Sequence, residues 1–384
     1  MLCGGFARRF ITVIYYITAL CLDFKIKHVE ERELMKVDVV SKNDEEVRLC
    51  ATADADEMER AFNDGLDAFI LQYNLGSLKG DTSYEKICNA LDEEEAQQAV
   101  YSSVVNFLVP FAISEYGEAP LATYGIESDD TPEADKSFSF EMTLLVKPHF
   151  KLSSYEPATV TIEKKPEVLD SDIEEQIRIL VRHIIAVNEN KNPDSPDLEI
   201  PEITDEWVAH NLADMNISTV DDLRDRFRKT SEEELATRYE QAKMAAAMEA
   251  YVPRFEGEVS EKMLSAMTQE LFETFVSDLL SEGTNFEEFS KEQNITEEQA
   301  RASLSAQAEN QLVQGFILDA IYDHEQIELQ PSDLLQALKN MAPGKEEDTF
   351  DAMQKSGRGF LLKQAAQRMK AAEWILDNTK FVVE

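Results

Sequence analysis

Residues 219–253 read TVDDLRDRFRKTSEEELATRYEQAKMAAAMEAYVP, and this stretch decides the fold. Thr219 stands at a helix N-cap position, with Asp221 and Asp222 in the first turn, where carboxylates oppose the positive end of the helix dipole. Leu223, Phe227, Leu235, Tyr239, Ala242 and Ala246 follow at helical spacing, and Pro253 closes the run. The same grammar recurs downstream. Ser260 opens a second helix, with Met263, Leu264, Met267, Leu271, Phe275, Val276 and Leu279 on one side and Gly283 beyond its end. Thr296 with Gln299 reads as the capping box of a third, carrying Leu304, Ala308, Leu312, Phe316 and Ile321. Gly357 precedes a fourth, with Phe360, Leu361, Ala365, Met369, Ala372 and Leu376. The chain from about residue 219 to 378 is therefore a helical region.

Soft and small residues recur on these helices. Ala245, Ala246, Ala247 and Met248 cluster near the end of the first, and Met263 and Met267 begin the second. Methionine is flexible and polarizable, which suits a surface that accepts many partners as well as it suits an ordinary core. Read as a group, Met244, Met248, Met263 and Met267 with Leu271, Phe275, Leu312 and Phe316 are the candidate apolar binding surface.

Upstream the pattern changes. Lys36–Val40 and Val47–Ala53 alternate as two strands around a polar turn at Ser41–Asp44. A helix is predicted over Asp54–Tyr73, then a glycine-bearing loop, Asn74–Thr82, then helices over Ser83–Leu91 and Glu93–Tyr116. Ser137–Val146 alternates as a half-buried strand, and Val160–Ile162 adds a short one. Ser171 is predicted to cap a helix running to Ala186. Asn188–Pro201 carries Pro193, Pro196 and Pro201 and reads as a linker. Arg8 and Arg9 precede an apolar run, Phe10–Leu22, open to three readings: an export signal, an anchor, or an extension upstream of a true start at Met35. The start at Met35 is preferred, because it gives a clean first strand.

Charge narrows the function. The chain has 76 acidic and 37 basic residues, a net charge of −39, and such a surface repels phosphate. DNA is excluded as the main ligand, while apolar patches on so charged a body stay in solution. Cys3, Cys21, Cys50 and Cys88 form no zinc spacing. The histidines His28, His149, His183, His210 and His324 are not paired at metal spacing, and no nucleotide loop, GxSxG or dinucleotide fingerprint occurs. Asp54 and Asp56 begin like a calcium loop, but the glycine and distal glutamate are missing. No cofactor, metal or catalytic residue is expected.

The order of these elements resembles bacterial trigger factor, the ribosome-associated chaperone family. The resemblance rests on the Met35–Tyr116 element order followed by Glu118–Tyr124, on Phe138–Met142 through Val146-Lys147-Pro148 with Leu152, Tyr155, Val160 and Ile162, and on Ile203–Trp207 with the helix pair after it. It implies an α+β fold: a small N-terminal α/β ribosome-binding-like domain and a large all-α C-terminal domain with helical arms forming an open cradle. The implied boundaries are 1–34 (extension), 35–147 (N-terminal domain), 148–190 (connecting strand and helix), 191–202 (linker) and 203–384 (helical chaperone domain). It also implies an ATP-independent, cytoplasmic chaperone, a monomer or weak dimer. Such a chaperone binds unfolded or nascent polypeptides and docks weakly on the large ribosomal subunit, with no membrane role unless the N-terminal segment is real.

Two departures from the family pattern are visible. The prolyl isomerase domain usual in the family would lie where Val181–Pro201 runs directly, and so short a segment cannot build its sheet and pocket. No isomerase site is expected. The family's cationic docking motif is replaced by Gly76-Ser77-Leu78-Lys79-Gly80, with a single lysine and Asp81 beside it. Fewer cations mean weaker docking on an anionic surface. Three alternatives stand beside the chaperone reading: an exported holdase of related architecture, a degenerate isomerase, and a closed helical scaffold with no client site.

Overall fold

The computed structural model describes residues 35–193, 195, 198 and 200–384. The export-signal, anchor and start-site readings fall on residues outside these. The chain packs as two units. One runs to Tyr155 and takes in Arg254–Trp374; the other is Glu156–Pro253 with Ile375–Glu384.

The first unit begins with a four-stranded antiparallel sheet in the order β1-β2-β4-β3, made of β1 (Lys36–Lys42), β2 (Glu46–Ala53), β3 (Ala122–Glu127) and β4 (Phe138–Leu145). Asn43 sets the first hairpin, its side-chain oxygen accepting from the Glu45 and Glu46 amides at 2.9 and 2.8 Å. β2 and β4 sit centrally, and their period-2 pattern buries Val47, Leu49, Ala51 and Ala53 against Phe138, Phe140, Met142 and Leu144. β3 was not legible in the sequence: its exposed, glycine-interrupted run Ala122–Glu127 lacks the alternation that marks a half-buried strand.

Helices cover this sheet. The predicted helix over Asp54–Tyr73 is α1 (Ala55–Arg60) and α2 (Leu66–Gln72), joined by a π-helical turn, Ala61–Gly65. A Cβ on Gly65 would meet the Ser103 carbonyl oxygen at 3.0 Å and the Phe107 Cβ at 3.1 Å, so the wide turn seats its backbone directly on the next long helix. α3 (Ser83–Ala90) and α4 (Glu93–Tyr116) follow, each opened by a capping box, Thr82 with Glu85 and Asp92 with Glu95. α4 supplies the largest share of this core, from Ala96 to Ile113.

The later part of the same unit is helical: α8 (Glu261–Ser281), α9 (Phe286–Gln293), α10 (Glu297–His324), α11 (Pro331–Met341), α12 (Glu346–Lys355) and α13 (Gly359–Asp377), the last crossing out of the unit at its end. The N-caps Ser260 and Thr296 hold as read from the sequence. β5 (Lys151–Leu152) pairs with β7 (Phe255–Glu256), and the rings of Phe150, Phe255 and Phe316 gather beside this pair.

The second unit holds β6 (Ala158–Ile162), α5 (Asp170–Glu189), α6 (Asp205–Asn211), α7 (Val220–Glu249) and β8 (Thr379–Val383). β6 and β8 pair in parallel from Ala158↔Thr379 to Ile162↔Val383. α5 starts one residue before Ser171, and its N-cap position is Leu169, which makes no side-chain cap bond. Ser171 therefore lies inside the first turn, where its hydroxyl contacts Asp172 instead. The proline-bearing stretch after α5 is not a bare tether: Leu198 is buried and Ile200 packs against the core of Ile173, Ile177, Val181, Val208, Leu212 and Leu223. α7 is 30 residues long yet buries only Leu223, Ala247 and Met248, so most of its length is in water.

Candidate functional site

The loop predicted as a docking tip joins α2 to α3. Asn74 turns the chain in the left-handed region at φ 58°, and Leu75–Ser77 forms one 3-10 turn with Leu75 packed on the core. The Lys79 carbonyl accepts from Asn89 at 2.9 Å. Gly80, at φ +149°, passes so close to α3 that a Cβ would lie 2.9 Å from the Lys86 amide nitrogen. Glu85 accepts from the Asp81 amide at 2.7 Å, and Ser83 donates to Asp67. The tip is thus pinned at both ends, with Leu78 and Lys79 at its outer face, both exposed. Leu71, Tyr73 and Tyr84, not singled out by sequence reading, are exposed at the same end, Leu71 at 79%. Leu71 could have been found: it lies off the face set by Leu66 and Ile70, in a helix otherwise regular in its period.

The eight apolar candidates divide evenly. Met248, Met263, Leu312 and Phe316 are buried. Met263, Leu312 and Phe316 share a core with Leu145 of the sheet, flanked by Phe150, Phe255 and Met267, because the first turn of α8 and the C-terminal half of α10 seat at the Leu145 end of β4. As placed, these four are packing residues, and the reading of them as open surface is corrected on that ground. Met244, Met267, Leu271 and Phe275 are half-buried. The Phe275 ring meets Phe286 and Phe289 of α9 edge-on at 6.3 and 5.2 Å, so α9 covers part of that stripe. Leu264, Met267, Leu271 and Val276 continue it along α8 with partial exposure, and Leu280 beyond them is exposed.

One polar cluster holds the first unit together. Asp319 of α10 accepts from Arg368 at 2.9 and 3.0 Å and from Lys147 at 2.8 Å. Burial pushes the Asp319 carboxyl up, but the Arg368 and Lys147 cations outweigh it and hold it below the usual carboxylate value. The cluster borders a cavity of about 270 Å³ that also meets His149, Phe150, Asp323 and Lys363. Burial raises the Asp323 carboxyl, opposed by His149 at 3.9 Å. Asp319 thereby clamps α10 to Arg368 of α13 and to Lys147 just after β4. Among the described residues no group of three or more His, Cys, Asp and Glu side chains is placed to hold a metal, and no helix is long and apolar enough to cross a membrane.

Comparison with known proteins gives the same family at both ends. The model described as bacterial trigger factor protein (TF) matches residues 35–180, and that for its C-terminus matches residues 219–377. The chain is similar to trigger factor of Staphylococcus carnosus, 21% identical over 423 residues, covering 87% of this chain and 94% of that one. It is 24% identical to that of Staphylococcus epidermidis and 28% to that of Finegoldia magna, each match covering 48% of this chain but only 42% of the relative. With several curated relatives, then, the chain aligns over less than half of their length. A solved structure from work on promiscuous substrate recognition in folding and assembly by the trigger factor chaperone covers 89% of this chain and 99% of its own, at 13% identity and a TM-score of 0.36. With matching models on both sides of residues 181–218, this chain belongs to the bacterial trigger factor family.

Proposed function

We propose that this protein is an ATP-independent chaperone that holds unfolded or nascent polypeptide on half-buried apolar helix faces, and that it docks weakly on the large ribosomal subunit through the Leu75–Gly80 tip. The observation that carries the reading is the match of both family models, one over the α/β domain and one over the helices. The surface supports it: Met267 and Leu271 on α8 and Met244 on α7 are part-exposed apolar groups on a chain of net charge −39. Apolar contact without hydrogen-bond readout gives weak binding with little sequence preference, and binding lowers the free concentration of aggregation-prone chain. The acidic surface keeps the loaded complex in solution.

Docking differs in kind from a phosphate clamp. One lysine and an exposed Leu71, Tyr73, Leu78 and Tyr84 favour contact with ribosomal protein over contact with ribosomal RNA. Co-sedimentation with ribosomes tests it. Leu78→Asp abolishes binding and Lys79→Glu weakens it, with a shallow salt dependence. Binding untouched by both changes would overturn this use of the tip. Prolyl isomerisation forms no part of the reading, because residues 181–218 are spent on the end of α5, the packed loop and α6. A proline-limited refolding assay shows no acceleration on this account; an acceleration that scales with the protein would overturn it.

A further inference from the structure

The second unit carries a sheet edge with a groove beside it. Among the described residues β6 pairs only with β8. The Ile162 carbonyl accepts from the Glu384 amide at 3.1 Å, and the Glu384 carbonyl accepts from the Lys164 amide at 3.3 Å. Ile162 and Lys164 therefore turn their backbone groups toward β8, and alternation turns those of Thr161 and Glu163 the other way. Thr161 and Glu163, with Ile162, Lys164 and Pro166, line one wall of a groove of about 380 Å³ whose other wall is α7. Leu235, Tyr239, Ala242 and Ala246, at spacings of four, three and four, present one apolar helix face to it.

The charge of this groove is unlike that of the chain. Lys164, Arg238 and Lys243 line it against one carboxylate, Glu163, in a protein of net charge −39. Lys164 also reaches Glu167 at 3.3 Å and Lys243 reaches Glu240 at 2.9 Å, while Arg238 makes no ion pair among the described residues. An open strand edge offers its backbone groups to an added strand, an apolar wall favours apolar side chains, and an unpaired guanidinium at the rim favours a carboxylate.

We propose that the outer edge of β6 and the adjoining face of α7 take an extended apolar peptide segment carrying a carboxylate, bound by strand addition. The peptide backbone pairs with Thr161 and Glu163, alternate side chains lie over Tyr239 and Ala242, and its acid meets Arg238. This rests on the chaperone reading in one respect: unfolded clients are the source of such segments. It adds a preference, since the helix faces of α8 offer no backbone pairing.

The test is fluorescence anisotropy on the full chain with a labelled eight-residue peptide of alternating valine and threonine and a central glutamate. Controls carry lysine for the glutamate, or N-methyl groups on alternate backbone amides. The glutamate peptide binds at least tenfold more tightly than the methylated one, and Ala242→Arg, which fills the groove from an exposed helix position, weakens it tenfold or more. Arg238→Glu weakens the glutamate peptide about fivefold and strengthens the lysine peptide. Equal binding of the methylated peptide, or an Arg238→Glu effect of the same sign on both charge forms, overturns the proposal; so does an unchanged affinity in Ala242→Arg. Aggregation of a denatured client, followed in parallel, reads the chaperone function separately. Suppression kept with peptide binding absent from the wild type overturns the groove alone, and peptide binding kept with no suppression overturns the chaperone reading alone.

Discussion

At the scale of single residues the most consequential is Asp319. It stands between Arg368 and Lys147, so Asp319→Ala leaves two cations without their counter-charge in a partly buried place. The expected loss is about 2–3 kcal/mol by urea denaturation, because breaking one side of such a cluster costs more than the cluster's net worth. Its pH dependence follows from the lowered carboxyl. The contribution is complete above the ordinary value of 3.8 and is lost as pH falls through the lower folded value. A stability profile between about pH 5 and 2 should therefore flatten in Asp319→Asn relative to the wild type; parallel profiles would show that Asp319 does not titrate as described. Gly65 is the second such residue. With 3.0 Å to the Ser103 carbonyl there is no room for a methyl group, and Gly65→Ala is expected to cost about 1–3 kcal/mol by shifting the π turn off α4.

At the scale of elements, local signals were read well wherever the physics is local. The caps at Thr219, Ser260 and Thr296 stand as read, since each needs only a side-chain oxygen and the next turn's amides. Thr296→Ala is expected to lose about 1 kcal/mol, measured as a lowered urea midpoint. The strands β2 and β4 were legible from alternation alone. What escaped was set by distant chain. β3 and β8 are strands because β4 and β6 offer them partners, not because Ala122–Glu127 or Thr379–Val383 announces one. The π turn depends on α4, and the burial of Met263, Leu312 and Phe316 depends on the end of a strand, at Leu145, more than a hundred residues away. A methionine stripe has the same spacing whether it meets water or a core, so the sequence named eight candidates and packing removed four. The start of the acid-opened helix at Asp170 lies two residues before the one that Ser171 as a cap implies, because Ser171 is a good capping type in a position where no cap bond forms.

At the scale of the molecule, family and charge act together. A net charge of −39 disfavours binding through phosphate contacts, so the proposed association with ribosomes is expected to change little between low and moderate salt. A steep salt slope would mean that cations outside the Leu75–Gly80 tip do the docking. The chaperone proposal requires unfolded chain to occupy part-exposed apolar groups, Met267 and Leu271 on α8 and, separately, Met244 on α7. The most direct measurement places a photo-crosslinking side chain at position 271, 267 or 244 of the full-length protein and compares one client in its denatured and native forms. Adducts are expected with the denatured form at these positions, few with the native form, and few from a crosslinker placed on the polar side of α8 at Gln269 or Glu273. Adducts equal for both forms, or absent at 271 and 267 while aggregation is still suppressed, would contradict the proposal.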